Sequence, residues 1–396
     1  METALAGVRV VDLSENLAGP YCGQILADLG AQVVKVERPV EGDPARAWGA
    51  PAWGRAAPLF LAANRSKRSV CLDLKSEEGR RALEALLAGS DVLVQSFRAG
   101  VMEKLGFGYD DVAVRHPRLL YCSIAAYGAS GPLAALPGYD PLMQAHAGLL
   151  SVTGHPGEPA RVGTSLVDMG TGLWAALHVL AALRQREATG RGTHIVASLF
   201  ECALSWSAYH LLGYLATGDV PGPAGTGFPL IAPYDAFPTA DGRLMIAAAN
   251  DGLFRRLCDL LGLDALAADP RFADNPSRAA HRDALNGAIA TATARWSTGA
   301  LTAALRDAGV PCAPILDMAG VAAEPQTRAS GMLQETPAHA AEAMVTLGPP
   351  VTVGGERAAP AAPPPLRGEH TAEVLRELGW EAEAARALAR RWGDGR

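Results

Sequence analysis

Val8-Arg9-Val10-Val11-Asp12-Leu13, then Gly19 to Leu29, Gly30, and Ala31 to Glu37, is the stretch that decides the fold. The first piece is a short apolar run of the kind that makes a buried strand. The second carries apolar residues at helical spacing and is closed by Gly30. The third is another apolar run. Strand, helix and strand within about thirty residues make a βαβ unit, and its two strands must be parallel.

Working outward, strands are predicted at Ser69–Leu74, Asp91–Phe97 and Leu119–Ile124, with a helix at Glu77–Leu87. The fold class is therefore α/β, with a large Rossmann-like open-sheet domain. No G-x-G-x-x-G follows the first strand, so a dinucleotide is not indicated. Thr193–Ser198 reads as a further strand and Phe200–Ala216 as a helix, before a Gly/Pro-rich break over 218–229. Beyond it, Ala236–Ala249 alternates around Asp241-Gly242 as a hairpin does. Helical segments at Leu253–Leu261, Ser277–Trp296 and Thr298–Ala308 complete a smaller α+β domain. The expected division is 1–217 for the first part of the large domain, 218–330 for the small domain and its linker, and 331–396 for a C-terminal segment. That segment holds a Pro/Ala linker, Ala358–Pro365, and helices at Thr371–Leu378 and Glu381–Trp392.

A net charge of −6 and the lack of any Lys/Arg block argue against nucleic acid as partner. The six cysteines are scattered with no C-x-x-C pair, which predicts reduced, buried thiols. No signal-like N-terminus is present, and the apolar stretches are broken by Gly, His or Arg, so neither a secretory leader nor a membrane span is expected. A cytoplasmic protein without membrane contact is the expectation. His146, His155 and His178 lack metal-ligand spacing, and no metal is predicted.

Gly163-Thr164-Ser165-Leu166-Val167-Asp168-Met169-Gly170-Thr171-Gly172 sets one carboxylate among small residues, just ahead of a helix that is apolar nearly all round. Such a helix is expected to be buried. Asp168 then lies at a helix start, where free N–H groups favour its ionised form and the glycines let a ligand approach the backbone. It is either a cap or a nucleophile. Backbone N–H groups near Gly170 or Gly138 are candidate oxyanion donors. Arg38 closes the second strand, and Arg65, Lys67, Arg68 and Lys75 flank the third. Cations gathered at strand ends suit a phosphorylated ligand. Trp48 and Trp53 are candidates to cover the cleft.

Several stretches together resemble the class III CoA-transferase family, which also holds the α-methylacyl-CoA racemases. They are Leu5 to Leu13, Ala27 to Pro39, Asn64 to Ser69, Tyr127-Gly128 with Gly131-Pro132, Gly138-Tyr139-Asp140, and Val167 to Gly172. The resemblance runs from Leu5 to about Gly379. It implies a C-terminal segment that returns to the large domain and two subunits interlocked as a homodimer. It implies Asp168 as the catalytic aspartate. It also implies that Ala18, Arg38, Leu72, Lys75, Ser96, Phe97, Lys104 and Tyr139 contact coenzyme A, and that Asn16, Leu17, Tyr139 and Asp140 line the acyl or acceptor pocket. CoA thioesters enter as substrates, with no tightly bound cofactor.

Leu17 replaces the Gln, Ser96 the Asn and Lys104 the Arg of the formyl-CoA transferase pattern, and Ala248 to Gly252 replaces its run of glycines. The expected activity moves CoA from a donor such as succinyl-CoA to a short dicarboxylate. A racemase needs a His where Tyr139 stands, and its second carboxylate would fall near Asp251, which disfavours that alternative. A silent CoA-binding protein is the third reading.

Overall fold

A computed structural model describes residues 4–336 and 343–393. The chain forms two units, one of Met1–Leu149, Val162–Ala216 and Gln326–Arg396, the other of Leu150–Arg161 and Thr217–Pro325. The segment 150–161, which carries a short antiparallel ribbon over Gly154–His155 and Glu158–Pro159, thus groups with the smaller unit.

The larger unit is built on a six-stranded sheet: β1 (Arg9–Asp12), β2 (Gln32–Glu37), β3 (Lys67–Cys71), β4 (Val92–Gln95), β5 (Leu120–Ala125) and β6 (His194–Ser198). All neighbours pair in parallel, in the order β3-β2-β1-β4-β5-β6. The strand order reverses between β1 and β4, so the loops leaving their C-terminal ends part and open a crevice. Residues 13–18 and 95–98 border it, tied together where the Glu15 N–H donates to Ser96 Oγ at 2.9 Å.

Helix α1 (Ala18–Asp28) follows β1 and buries Ala18, Cys22 and Leu26. Its turn into β2 uses Gly30 at φ 100°, a left-handed position that glycine takes without strain. Helix α2 (Glu77–Ala88) starts at Ser76, whose hydroxyl accepts the Gly79 N–H, with Glu77 and Glu78 at the positive end of its dipole. β3 begins two residues earlier than its apolar pattern predicts. Lys67 opens it as a fully buried cation, which an apolar count does not register.

Helix α3 (Asp140–His146) precedes the long α4 (Leu166–Thr189), which ends at Gly190 in the left-handed conformation. α4 is long and apolar enough to cross a membrane by length and composition, contrary to the expectation that no stretch would be. Half of its apolar window is buried, and it packs on α1 and the sheet. Nor is it buried all round: Met169, Leu173, Trp174 and Leu177 are exposed on one face. The helix predicted over 200–216 is two, α5 (Leu199–Trp206) and α6 (Ala208–Thr217). Ser207 separates them, its hydroxyl bonded to preceding carbonyls at Ala203 and Leu204.

The smaller unit carries an antiparallel sheet of β7 (Tyr234–Pro238), β8 (Arg243–Ala247) and β9 (Cys312–Pro314), the first two forming the predicted hairpin. Helix α7 (Asp251–Leu261) starts at Asn250, whose side chain accepts the Leu253 N–H. The helix predicted over 277–296 breaks at His281 into Asn275–Ala280 and Arg282–Thr293. Arg278 from the first piece is fully buried, bonded to the Ala232 and Phe272 carbonyls and to Asp251 at 2.7 Å.

The C-terminal helices α8 (Thr371–Glu377) and α9 (Ala382–Gly393) lie against β3. Thr371 Oγ1 accepts the Cys71 N–H at 3.0 Å, and Arg68 pairs with Glu373 and Glu377. Five of the six cysteines are buried and all are free thiols.

Candidate active site

Asp168 occupies the first turn of α4, partly buried. A helix start leaves several N–H groups without intrahelical partners. Here those of Leu166, Val167 and Asp168 are engaged. Leu166 N–H donates to the Thr164 carbonyl at 2.9 Å, and Met169 N–H to the Ser165 carbonyl at 3.1 Å. Those of Val167 and Asp168 both donate to Asp140 Oδ2, at 2.8 and 3.2 Å. The cap of α4 is therefore Asp140, reaching from the start of another helix, and Asp168 is not a cap.

Asp140 is in turn oriented by Gln144, one helical turn along α3. Gln144 Nε2 donates to Asp140 Oδ1 at 2.6 Å, while its Oε1 accepts the Val162 N–H at 2.9 Å. Gln144 was not among the residues expected to matter. The i, i+4 spacing from Asp140 is the one signal that pairs them. Asp140, expected in an acceptor pocket, is 1% exposed and has both oxygens engaged by the protein.

The helix start does not keep Asp168 in the ordinary carboxylate range, as its sequence setting predicts. Burial, and after it the charge of Asp140, push its carboxyl up to about 7. The glycines also serve another purpose than expected. A Cβ on Gly172 would lie 2.4 Å from the Ala18 carbonyl oxygen, and one on Gly170 2.8 Å from Trp206 Nε1. They let α1 and α5 close on α4. Gly170 lies inside the helix, where its N–H belongs to the helical ladder and cannot serve an oxyanion. An apolar cleft lined by Tyr21, Leu166, Met169, Leu173 and Trp206 opens beside this turn.

Tyr139 directly precedes Asp140, is 52% exposed, and meets the Trp48 ring edge-on at 6.2 Å. The two aromatic rings stand exposed together, beside the residue that caps α4. Trp53 is also exposed.

The crevice end of the sheet holds the other expected residues. Asn16 sits in the left-handed region at φ 68°, its N–H given to Asp43 Oδ1 at 3.1 Å. Its own Oδ1 is shielded from solvent without a hydrogen-bond partner. Leu17 and Ala18 are buried at the entry to α1, and Leu72 beyond β3. Ser96 receives the Glu15 N–H, and the Phe97 N–H donates to Gln95 Oε1 at 2.8 Å. Arg38 is half-exposed and pairs with Glu15 at 2.9 Å. Lys75 and Lys104 are exposed and form no ion pair among the described residues.

Three cations expected to favour a phosphorylated ligand are instead paired within the protein, Arg65 and Lys67 buried and Arg68 partly exposed. Arg65 pairs with Asp28, Arg68 with α8, and Lys67 with Asp12 Oδ2 at 2.8 Å, the Pro20 carbonyl and Asn64. Lys35, fully buried in β2, bonds the Ser14 carbonyl and Asp43, both at 2.8 Å. Burial alone would raise the Asp12 carboxyl, but Lys67 and Lys35 outweigh it and hold it below its usual range. This buried network fixes the 13–18 loop from beneath. A lysine amid Val33, Val34 and Val36 was the signal for it.

A sheet of this order with a carboxylate held at a helix start defines a ligand-handling α/β protein, and the comparisons narrow that class. The CoA-transferase family III model matches residues 5–371, and the chain belongs to that family. It is thus an enzyme, a CoA-transferase. It is 38% identical to a succinate–glutarate CoA-transferase of Agrobacterium fabrum over 94% of this chain and 95% of that one. It is 41% identical to an acetyl-CoA:oxalate CoA-transferase of Acetobacter aceti, over 83% and 84%. A solved CAIB/BAIF family protein from Brucella suis superposes with a TM-score of 0.87 and 39% identity, covering 94% of this chain and 99% of that one.

Proposed function

We propose that the enzyme moves CoA from an acyl-CoA donor such as succinyl-CoA to a short dicarboxylate, with Asp168 as nucleophile. The observation that carries this is the Asp168 carboxyl itself, partly buried and pushed up to about 7 by burial and Asp140. An anion so little stabilised is a better nucleophile than a solvated carboxylate.

An Asp168 oxygen bonds to the thioester carbonyl carbon as the C–S bond breaks, giving a mixed anhydride and CoA thiolate. The thiolate attacks the aspartyl carbonyl and releases the donor's carboxylate. An acceptor carboxylate then attacks the enzyme thioester, and the returning thiolate takes the acceptor's acyl group, freeing Asp168. Every acyl group stays activated throughout, so no ATP is required. The names of the relatives above favour a dicarboxylate acceptor, as does that of a succinyl-CoA:glutarate CoA-transferase from Homo sapiens, 34% identical over 94% of this chain.

The exposed residues Arg38, Lys75, Lys104 and Tyr139, with Ala18, Leu72, Ser96 and Phe97, are the proposed CoA contacts; Asn16, Leu17 and Tyr139 are those for the acyl group. A homodimer is proposed to cover the exposed face of α4. Racemisation is disfavoured by Tyr139 and by Asp251, whose carboxylate is bound to buried Arg278.

The test incubates the enzyme with succinyl-CoA and a panel of acids, followed by hydroxylamine trapping and mass spectrometry. Trapping at Asp168 with transfer to glutarate or a similar diacid is expected. Label at another residue, or solvent deuterium at Cα with no acceptor present, overturns the reading.

A further inference from the structure

We propose that Asp140 is a positioning residue that makes the transfer nucleophile reactive, by taking the helix-start donors that would otherwise stabilise the Asp168 anion and by facing it with a like charge. The proposal rests on the reading of Asp168 as nucleophile. The N–H groups of the first three helical residues are all taken before the Asp168 side chain: that of Leu166 goes to the Thr164 carbonyl, and those of Val167 and Asp168 go to Asp140 Oδ2. The capping carboxylate cannot turn away, because Gln144 holds its other oxygen and is itself fixed by the Val162 N–H.

The groups that face Asp168 are few. Helix α3 contributes Asp140, and α5 contributes the Cys202 thiol. From α1, Tyr21 lines the neighbouring cleft. No Lys or Arg acts on Asp168 among the described residues. A cap drawn from an uncharged side chain would satisfy the same N–H groups without this effect. The use of a buried Asp is what sets the pair apart.

The consequence is directional. When Asp168 attacks a thioester, its negative charge passes to the departing thiolate, and the aspartyl group becomes a neutral acyl. Repulsion from Asp140 is relieved in every covalent form of the enzyme and restored when the free carboxylate returns. Asp140 therefore favours acylation and raises the standing fraction of enzyme–CoA thioester.

The experiment compares Asp140→Asn with Gln144→Leu and Asp140→Glu in the full chain, using succinyl-CoA and glutarate. Asp140→Asn retains an oxygen to accept the capping N–H groups and removes the charge. The acid limb of its kcat/KM profile is expected to move down by about one pH unit or more, and its trapped thioester to fall about tenfold. Gln144→Leu loosens the clamp and keeps the charge, so its rate falls while the limb stays in place. Asp140→Glu restores the limb. An Asp140→Asn enzyme that transfers CoA with the wild-type limb overturns the proposal. Failure of the nucleophile reading looks different: wild-type enzyme would trap no CoA on Asp168.

If Asp140→Asn does not fold, Asp140→Ser keeps an uncharged oxygen at the cap, and the ¹³C titration of Asp168, identified by its loss in Asp168→Asn, is compared with that in wild type. A downward displacement of the Asp168 inflection is expected, and an inflection at the wild-type pH overturns the proposal.

Discussion

Asp12 beneath the first strand and Asp168 at the start of α4 are both carboxylates withdrawn from solvent, and their surroundings move them in opposite directions. Asp12 is fully buried, bonded by Lys67 and Ser14 and close to Lys35, and lies below its usual range. Asp168 is less buried, has no cation acting on it among the described residues, faces another carboxylate and lies near 7. Burial opposes the charge in both places. The difference is compensation, and it separates a carboxylate that holds a loop from the one proposed as nucleophile. A half-compensated anion is poor structural material and good chemistry.

The largest effect that tests this contrast is on activity. Asp168→Ala should lower kcat on the order of 10⁴-fold or more, read as CoA exchange between thioester and free acid. Retention of transfer would remove Asp168 from its side of the contrast.

Next is the structural side. Lys67→Met leaves Asp12 as an uncompensated buried charge and should destabilise by about 3–5 kcal/mol in urea denaturation. Adding Asp12→Asn to that variant should recover part of the loss. A Lys67→Met protein as stable as wild type would show that the network holds nothing.

Asp168→Asn should show the reverse sign. Because the folded carboxyl sits near 7, above its ordinary 3.8, the native state keeps a proton that the unfolded chain releases between those values. Wild-type stability therefore falls as pH rises through that window, and the Asn variant escapes the fall. A gain on the order of 2 kcal/mol at pH 8, absent at pH 4, is expected from denaturation at the two pH values. Equal gains at both would place the effect in packing.

The smallest effect sharpens the boundary between the two kinds of charge. Arg38→Ala removes a half-exposed pair, so stability should change by less than about 1 kcal/mol. If Arg38 serves CoA, KM for the acyl-CoA should rise about tenfold, or about 1.4 kcal/mol, with kcat little changed.

The first βαβ unit was legible because its valine-rich runs read as strands despite Arg9 and Lys35, and Gly30 punctuates it. The register of β3 was not, because Lys67 hides inside the sheet as a charge. The breaks at Ser207 and His281 left no Gly or Pro to mark them. At the site, the segment around Asp168 announces itself by its spacing and small residues. Its cap lies 28 residues upstream, and nothing local in the sequence says that Asp140 will close on it. The cations at 65–68 were misleading for the same reason: a sequence shows the charge of a side chain, but not whether its partner is a ligand or Asp28, Asp12 or Glu377. What stayed hidden was decided by contacts between segments far apart in the chain.

The clamp on α4 also bears on how the amide protons of this helix exchange with solvent. First-turn amides usually exchange fast, since they lack helical partners and fray. Those of Val167 and Asp168 are bonded to a carboxylate that is 1% exposed, and Gly172 seats the next turn against the backbone of α1. Their protons should persist in D₂O nearly as long as those in the middle of the helix, so that the end of α4 carrying Asp168 belongs to its slowest-opening part.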